Sequence, residues 1–545
     1  MLATLQERKR RWLLVIILWI ALVAPRLASI HAFATIDEHE WLVSSLNFTH
    51  ALARRDLRAT YRWEHPGVTT MWIGAAAYLL RCPECLDITE VQSQDYEAYL
   101  VQFGATARAI LAISRTLMVL AETSILLIVY RISQHLLGTV VALVGMIFIA
   151  LDPFVTAHTQ LLHLDGLLST LLLLTLLAFI RYLDSRRVAH LVLSGVAAGL
   201  AWLTKSVGIF IVPAIVAVAL IDAAKALRRG PKLRQHLVSI LAWGLIAGVV
   251  FVILWPAIWG APVETVNRIK DAAFSYAEQG HESPVFFQGR VYSDGRLGGG
   301  FYPVSYLWRS SPVVLLGLGL ALASRLSSQW RPVPTASTHT GLLIFALLYM
   351  AQLSLGYKKF DRYLLPVHLP MMLASAYGWE WLASHLGKSI SAHHRYQRHI
   401  LVLVVIGLHA SGLVWSYPYY LTYYNPLLGG LRGATHVMTV GWGEGLDQAA
   451  AYLAEKPDAD KLRVASWYSP CFSYFFPGET LGIDNARDLS AEHVDFLLST
   501  DYLIIYVHQW QRGIPRSLIE RIQSQQPEHI IHIRGAPYVH IYRVD

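Results

Sequence analysis

The sequence predicts an α-helical polytopic membrane protein with a small α/β domain at its C-terminal end. Three observations predict it. Only 15% of the 545 residues are charged and 54% are hydrophobic, whereas a soluble domain carries about 25% charge. Apolar stretches of the roughly 20 residues that a bilayer crossing needs recur through positions 12–417. Beyond residue 417 the pattern changes: strand-like runs such as Tyr502-Leu-Ile-Ile-Tyr506 and His529-Ile-Ile-His-Ile533 alternate with helical stretches at Gly445–Lys456 and Ser517–Gln526. The chain therefore divides into a membrane domain, residues 1–417, and a soluble domain, residues 418–545.

About eleven spans of membrane length are expected, near 12–30, 110–131, 138–152, 166–183, 188–204, 206–221, 237–257, 309–325, 340–356, 363–385 and 400–417. The cationic run Glu7-Arg8-Lys9-Arg10-Arg11 precedes the first span and places the N-terminus in the cytoplasm. Met1–Ala24 resembles a signal peptide, but no small-residue cleavage motif follows, so an uncleaved first helix is expected. Basic turns at Arg131 and His135, Arg181 to Arg187, Lys225 to Arg234, Arg325 to Arg331 and Lys388 to Arg398 are assigned to the same side. An odd number of crossings then leaves the C-terminal domain outside the membrane. Gly67–Leu80 is apolar but too short to cross, and Glu84, Asp87, Glu90, Asp95 and Glu97 follow it. Residues 31–108 are thus expected to form one external loop of juxtamembrane helices, and residues 258–308 a second.

The net charge of +8 comes largely from those cytoplasmic turns and reports orientation. No basic stripe with interleaved aromatics argues for nucleic acid. Of three cysteines, Cys82 and Cys85 have CxxC spacing without a second pair to complete a zinc site. They form either a local disulfide or two free thiols. No internal repeat is evident, which weighs against an inverted-repeat transporter. Asn47-Phe48-Thr49 is a formal glycosylation sequon. Trp415 to Tyr424 read as an interfacial aromatic belt.

The chemistry gathers at the outer mouths of the spans. An acidic pair stands in Thr35-Ile36-Asp37-Glu38-His39-Glu40, followed by Trp63-Glu64-His65-Pro66-Gly67. Leu162-His163-Leu164-Asp165-Gly166 opens one span, and Leu203-Thr204-Lys205 falls at the turn between two others. Gly356-Tyr357-Lys358-Lys359-Phe360-Asp361-Arg362-Tyr363-Leu364-Leu365-Pro366 caps two more. Carboxylates and cations at one membrane level are costly unless paired or wet, so a functional site is the default reading. A carboxylate within reach of an attacking hydroxyl takes its proton. Lysine and arginine stabilise charge on a departing phosphate. A sugar linked to a lipid phosphate would present its anomeric carbon at this interface. The bland readings are an N-cap for Asp37, a cap or helix-dipole partner for Asp165 and a snorkelling side chain for Lys205. Glu122, inside the second span, pairs with Arg115 or Arg108 or else is itself functional.

In this order the motifs resemble the protein O-mannosyltransferase superfamily, glycosyltransferase family 39, and the lipid A aminoarabinose transferases, over residues 12–385. The pieces that carry the resemblance are Asp37-Glu38, Glu64-His65-Pro66, His163-Leu164-Asp165-Gly166, Gly199-Leu-Ala-Trp-Leu-Thr-Lys205 and Lys359-Phe-Asp-Arg-Tyr-Leu-Leu-Pro366. It implies the GT-C membrane fold and transfer of one sugar from a polyprenyl-phosphate donor to a lipid, glycan or protein hydroxyl. By the resemblance Asp37 is the catalytic base, Asp165 an acceptor-orienting or supporting acid, and Glu38 a supporting neighbour. Lys205, Lys358, Lys359 and Arg362 would contact the donor phosphate, with Glu64, His163 and Tyr363 in support. Where the aminoarabinose transferases have Glu-Lys-Pro-Pro, this chain has Glu64-His65-Pro66-Gly67, so His65 replaces a phosphate-binding lysine only as a cation or a neutral donor. No cofactor is required. A divalent metal is compatible with Asp37, Glu64, His65 and His281, but no spacing compels one. The rivals are a transporter or flippase for the same lipid-linked sugar, and a glycan-sensing outer domain on an inactive membrane part. A third, an oligosaccharyltransferase, is weakened because the chain has no Trp-Trp-Asp-Tyr-Gly sequence.

Overall fold

The computed structural model describes residues 2–86, 90–227, 233–278, 280–281, 283–326, 336–386 and 394–544. The basic turns at 225–234, 325–331 and 388–398 lie in part outside these residues. A helix stands at each expected span: Leu2–Ala28, Ala107–Leu137, Thr139–Leu151, Leu164–Ser185, Val188–Thr204 and Val212–Leu227. Leu233–Leu254, Pro312–Leu326, Ala336–Leu355, Leu365–Leu386 and His394–Ser416 follow. Among the described residues, six helices are individually long and apolar enough to cross a membrane. This is an integral membrane protein.

Burial sorts these helices. The apolar window of Leu164–Ser185 is 94% buried, that of Arg234–Leu254 only 17%. A helix that is apolar all round and fully packed is the bundle core, and one that is apolar but uncovered faces lipid. Leu164–Ser185 packs on Val188–Thr204, Ala107–Leu137 and Leu365–Leu386. At 1.5 Å per residue it separates its two ends by about 33 Å. Asp165 lies at one end, near Lys205; at the other, Asp184 shares a cavity with His135, Asp222 and Lys225. The basic turns and the candidate site are therefore at opposite ends of the bundle.

The first loop is three packed helices, Ile36–Ala53, Val68–Arg81 and Tyr96–Val101. Thr35 caps the first of them, and its partner in the capping box is Glu38. Asp37 is thus not the cap. Glu38 is wholly buried and bidentate to Arg115, with Nε to Oε1 at 2.7 Å and Nη2 to Oε2 at 2.5 Å. Arg115 also donates to the carbonyls of Ile30 and Phe33, and the Leu162 amide donates to Glu38. Neither partner anticipated for Glu122 is available: Arg115 is held by Glu38, and Arg108 stacks on Phe475 at 4.8 Å. Glu122 instead lies against Gly166, where a Cβ would come within 2.7 Å of its carboxylate. Asn47 is buried and exchanges both amide bonds with the Val91 backbone, so the sequon is a structural pin. Cys82 and Cys85 form a disulfide, and Cys471 is free and buried.

The second loop contributes the helix Pro262–Glu278, a hairpin of β1 (Val285–Phe287) and β2 (Arg290–Tyr292), and the helix Phe301–Arg309. The C-terminal domain is a five-stranded mixed sheet. Its strands are β3 (Arg463–Ser466), β4 (Glu479–Gly482), β5 (Tyr502–Tyr506), β6 (His529–Ile533) and β7 (Ala536–Arg543), in the order β4-β3-β5-β7-β6. β5 pairs parallel to β3 and antiparallel to β7. As the central strand it is buried on both faces, which explains its unbroken apolar run. The domain docks on both external loops. Gln288 N–H bonds to Val437 O, Tyr474 Oη lies 2.8 Å from His39 Nδ1, and Gly443 meets the Ala34 backbone.

Two outcomes are expected from this packing. Glu38→Ala leaves Arg115 buried without its partner and costs about 3–5 kcal/mol, whereas Glu38→Leu with Arg115→Met recovers most of it. Melting of the detergent-solubilised variants measures both. Gly443→Ala places a Cβ 2.1 Å from Ala34 O at a φ of +125°. It should loosen the outer domain from the first loop, read as faster proteolysis of the domain boundary near residue 417.

Candidate active site

Two helix N-termini and one short turn bring the charges together. Asp37 is the second residue of Ile36–Ala53, and Asp165 the second of Leu164–Ser185. Both carboxylates sit where a helix end favours negative charge. Lys205 closes Val188–Thr204 at its C-terminus, where the dipole favours a cation. Arg362 comes from the 3-10 turn Asp361–Leu364 at the head of Leu365–Leu386.

The groups form an alternating chain. Lys205 Nζ donates to Asp165 Oδ1 at 2.7 Å and rests 3.9 Å from the Tyr363 ring. Asp165 Oδ2 is 3.3 Å from Arg362 Nε and 3.5 Å from His163 Nδ1. Arg362 Nη2 reaches Asp37 Oδ2 at 3.3 Å, and His163 Nε2 reaches the same oxygen at 3.1 Å. His163 and Arg362 therefore both bridge the two aspartates. Asp165 and Lys205 are nearly inaccessible, whereas the Asp37 side chain is 31% exposed. Of the two acids, only Asp37 is open to a ligand. Burial pushes its carboxyl up, but Arg362 and the His163 and Trp442 hydrogen bonds hold it at about 2.

Asp37, Lys358, Phe360 and Arg362 form the wall between two cavities. An inner cavity of about 230 Å³ is lined by Trp41, Trp63, His65, His163, Lys205 and Tyr363. An outer cavity of about 340 Å³ lies between the membrane domain and the C-terminal domain. Trp442, Trp467, Tyr468, His508 and Arg512 of that domain line it.

The structure separates the sequence-predicted residues into groups. Asp37, His163, Asp165, Lys205, Arg362 and Tyr363 are in mutual contact, and His65 and Lys358 join them on the inner cavity. Glu38 is turned away into its pair with Arg115. Lys359 is buried, and its ammonium donates to the carbonyls of Leu297, Ser354 and Gly356 at 3.0, 3.1 and 2.6 Å. It clamps the turn that carries Arg362, and its charge is spent on backbone rather than offered to a ligand. Glu64 is exposed and lines neither cavity. His65 is held well below the usual histidine range by burial and by Lys205, so it meets a ligand as a neutral ring. His281 bonds the Lys359 backbone and stands apart from Glu64 and His65. Among the described residues no group of three or more His, Cys, Asp or Glu side chains is arranged to hold a metal ion.

Trp442 was not anticipated. Its Nε1 donates to Asp37 Oδ1 at 3.3 Å, its ring packs on the Arg362 guanidinium at 4.4 Å, and its edge meets His163. The signal was Gly441-Trp442-Gly443-Glu444-Gly445, whose glycines all adopt positive φ. Glu444 fixes the loop by accepting from the Trp442 amide at 2.6 Å and from Tyr506.

Comparison with known proteins bears on the fold that holds this site. Residues 100–259 match the family model described as dolichyl-phosphate-mannose-protein mannosyltransferase. No curated protein sequence matches the chain. The structure is similar to ArnT from Cupriavidus metallidurans bound to undecaprenyl phosphate, with a TM-score of 0.50 at 14% identity, over 96% of this chain and 97% of that one. It is also similar to the Archaeoglobus fulgidus oligosaccharyltransferase, with a TM-score of 0.52 at 14% identity, over 91% of this chain and 69% of that one. A second structure of that enzyme, AglB in complex with an inhibitory peptide and a dolichol-phosphate, has a TM-score of 0.50 at 13% identity over 92% and 70% of the two chains. The chain therefore has the GT-C membrane fold that these structures share, and its residues 100–259 are similar to the mannosyltransferase family.

Proposed function

We propose that the protein transfers a single sugar from a polyprenyl-phosphate donor to an acceptor hydroxyl on the outer face of the membrane, with inversion. The observation that carries this reading is the wall shared by two cavities, on which the Asp37 carboxylate, open to both, stands beside Arg362. A displacement needs its two reactants on opposite sides of the reacting carbon, held by groups of opposite character. The inner cavity takes the donor phosphate, which Lys205 meets from within it and Lys358 and Arg362 from the shared wall. The outer cavity takes the acceptor. ArnT was solved with undecaprenyl phosphate and AglB with a dolichol-phosphate, and both lipid phosphates are chemically what such a cationic pocket suits. The cations meet the phosphate charge, so the reading calls for no metal.

Asp37 takes the proton as the acceptor oxygen attacks the anomeric carbon. The bond from that carbon to the phosphate oxygen breaks, and its electron pair leaves with the polyprenyl phosphate. A carboxylate held at about 2 is a weak base. A donor phosphate changes that, because it competes for Arg362. Once Arg362 turns to the phosphate, the burial that raises the Asp37 carboxyl is offset only by His163 and Trp442, and the base strengthens as the substrate binds. Asp165 supports the site by holding Lys205 and Arg362 in place, with His163 spanning both acids. Glu38 and Lys359 position the segments that carry Asp37 and Arg362. The disulfide in the first loop, Cys82 to Cys85, favours an oxidising, extracytoplasmic setting for this face, with the N-terminus in the cytoplasm.

The test is release of free polyprenyl phosphate from a panel of polyprenyl-phosphate sugars by protein in nanodiscs, with membrane extract as acceptor. Wild type should release it, and Asp37→Asn should be slower by about 10²–10⁴-fold. Equal donor binding by both proteins with no release across the panel would sink the transferase reading in favour of transport. The pH profile gives an independent check. Because Arg362 holds the Asp37 carboxyl down, the acid limb of kcat/KM from Asp37 should lie below about pH 4 in wild type. In Arg362→Gln burial prevails, and the limb of the residual activity should move to higher pH.

A further inference from the structure

The outer cavity contains a set of polar groups that the transfer chemistry does not use. Arg512 lines it from the C-terminal domain, its guanidinium 5.5 Å over the Trp467 ring and its Nε donating to His508 O at 3.2 Å. It has no carboxylate partner among the described residues. The acids of the cavity are accounted for. Asp361 is paired with Arg309 at 2.7 Å, and Asp37 is held by Arg362 and His163. Glu444 is occupied by the Trp442 amide and Tyr506, and burial raises its carboxyl. On the C-terminal domain's side of the cavity two further atoms lack hydrogen-bond partners, Trp467 Nε1 and His508 Nε2, on residues each only 2% exposed. His508 is kept neutral by burial and by Arg512, and its Nδ1 faces Gly441 O at 3.4 Å. With Nδ1 donating there, Nε2 is an acceptor.

Buried donors and acceptors without partners are costly and rare, and a partly desolvated guanidinium without an acid is more so. A ligand that supplied an anion to Arg512 would give that guanidinium the acid it lacks, whereas Trp467 Nε1 and His508 Nε2 are covered from the cavity and take no part. The faces of Trp442, Trp467 and Tyr468 add the aromatic surface on which a sugar ring packs. A volume of about 340 Å³ is within the range of small-molecule sites.

We propose that this cavity is a subsite for an anionic sugar unit, one bearing a carboxylate or phosphate gripped by Arg512. Resting on the transferase reading above, it is the acceptor that carries this unit, and the anion orients it so that a hydroxyl faces Asp37. A carboxylate or phosphate suits the planar, multi-donor guanidinium better than a neutral hydroxyl does.

The first experiment reads binding, with no chemistry required. Glucuronic acid, glucose 6-phosphate and glucose are titrated onto the full-length protein in nanodiscs by saturation-transfer NMR. At least one of the two anionic probes should bind ten times more tightly than glucose, and which one does so distinguishes carboxylate from phosphate. The preference should vanish in Arg512→Gln and persist in part in Arg512→Lys. Glucose binding as well as both anions in wild type, or an anionic preference unchanged in both variants, would overturn the subsite. A second experiment couples it to transfer, with uronate-, phosphate- and neutral-terminated oligosaccharides as acceptors and polyprenyl phosphate release as the readout. In Arg512→Gln the KM for the anionic acceptor should rise about tenfold, while the dissociation constant of the donor stays unchanged. Arg512-dependent binding without release from any donor would leave the subsite standing and remove the transferase reading. Release that proceeds equally with neutral acceptors, without a binding preference, would do the reverse.

Discussion

The buried ion pair between Glu38 and Arg115 is the interaction on which the site depends. It joins the Thr35 cap, the carbonyls of Ile30 and Phe33, the helix Ala107–Leu137 and the Leu162 amide at one point. Two consequences follow from that geometry. Asp37, one residue along the helix, must point roughly 100° away from Glu38, which turns it out of the protein and onto the cavity wall. Leu162 is held one residue before His163, so the segment that presents His163 and Asp165 is fixed against the same pair. Desolvating two charges is expensive, and an apolar pair would hold the fold as well or better. What the ion pair adds is registry between the two acidic segments.

Between the aspartates the charges alternate so that each cation answers two acids or an acid and a ring. Lys205 meets Asp165 and Tyr363; Arg362 meets both aspartates and lies between Phe360 and Trp442. A chain of this kind is stable at rest and is perturbed by any new anion, because no cation can approach it without weakening its hold on a carboxylate. The same arrangement that keeps Asp37 ionised therefore links its basicity to any anion that enters the inner cavity.

Much of this was legible in the sequence, for reasons particular to each part. The spans were readable because lipid demands long apolar runs, and the turn sequences at Asp165, Lys205 and Arg362 stood out because charge is rare at that depth. The C-terminal strands at Tyr502–Tyr506 and His529–Ile533 stood out where short apolar runs of strand length replaced long ones. The division of labour within each motif was not readable. Glu38 and Asp37 are neighbours of the same chemistry, and only the position of Arg115, 77 residues away, decides which is buried. Lys358 and Lys359 differ in the same way: the carbonyls that capture Lys359 come from Leu297 and from the end of the preceding helix. For Glu122 the pattern offered Arg115 and Arg108 as partners, and tertiary structure had used both elsewhere. The role of Trp442 was hidden because its significance lies in three positive-φ glycines whose neighbours are more than 60 positions distant in sequence.

That last contact changes what the C-terminal domain is. A glycan-sensing appendage would touch the membrane domain at its margin, yet Trp442 donates to Asp37 on the wall between the cavities and covers the Arg362 guanidinium beside it. The loop that carries Trp442 is fixed from behind by Glu444 and by Tyr506, at the end of the central strand β5. A rigid path thus runs from the core of the sheet to the exposed edge of Asp37. The outer cavity exists only when the domain is docked, since its walls come from both sides. Membrane domain and outer domain are two halves of one site, and neither holds a complete set of groups alone.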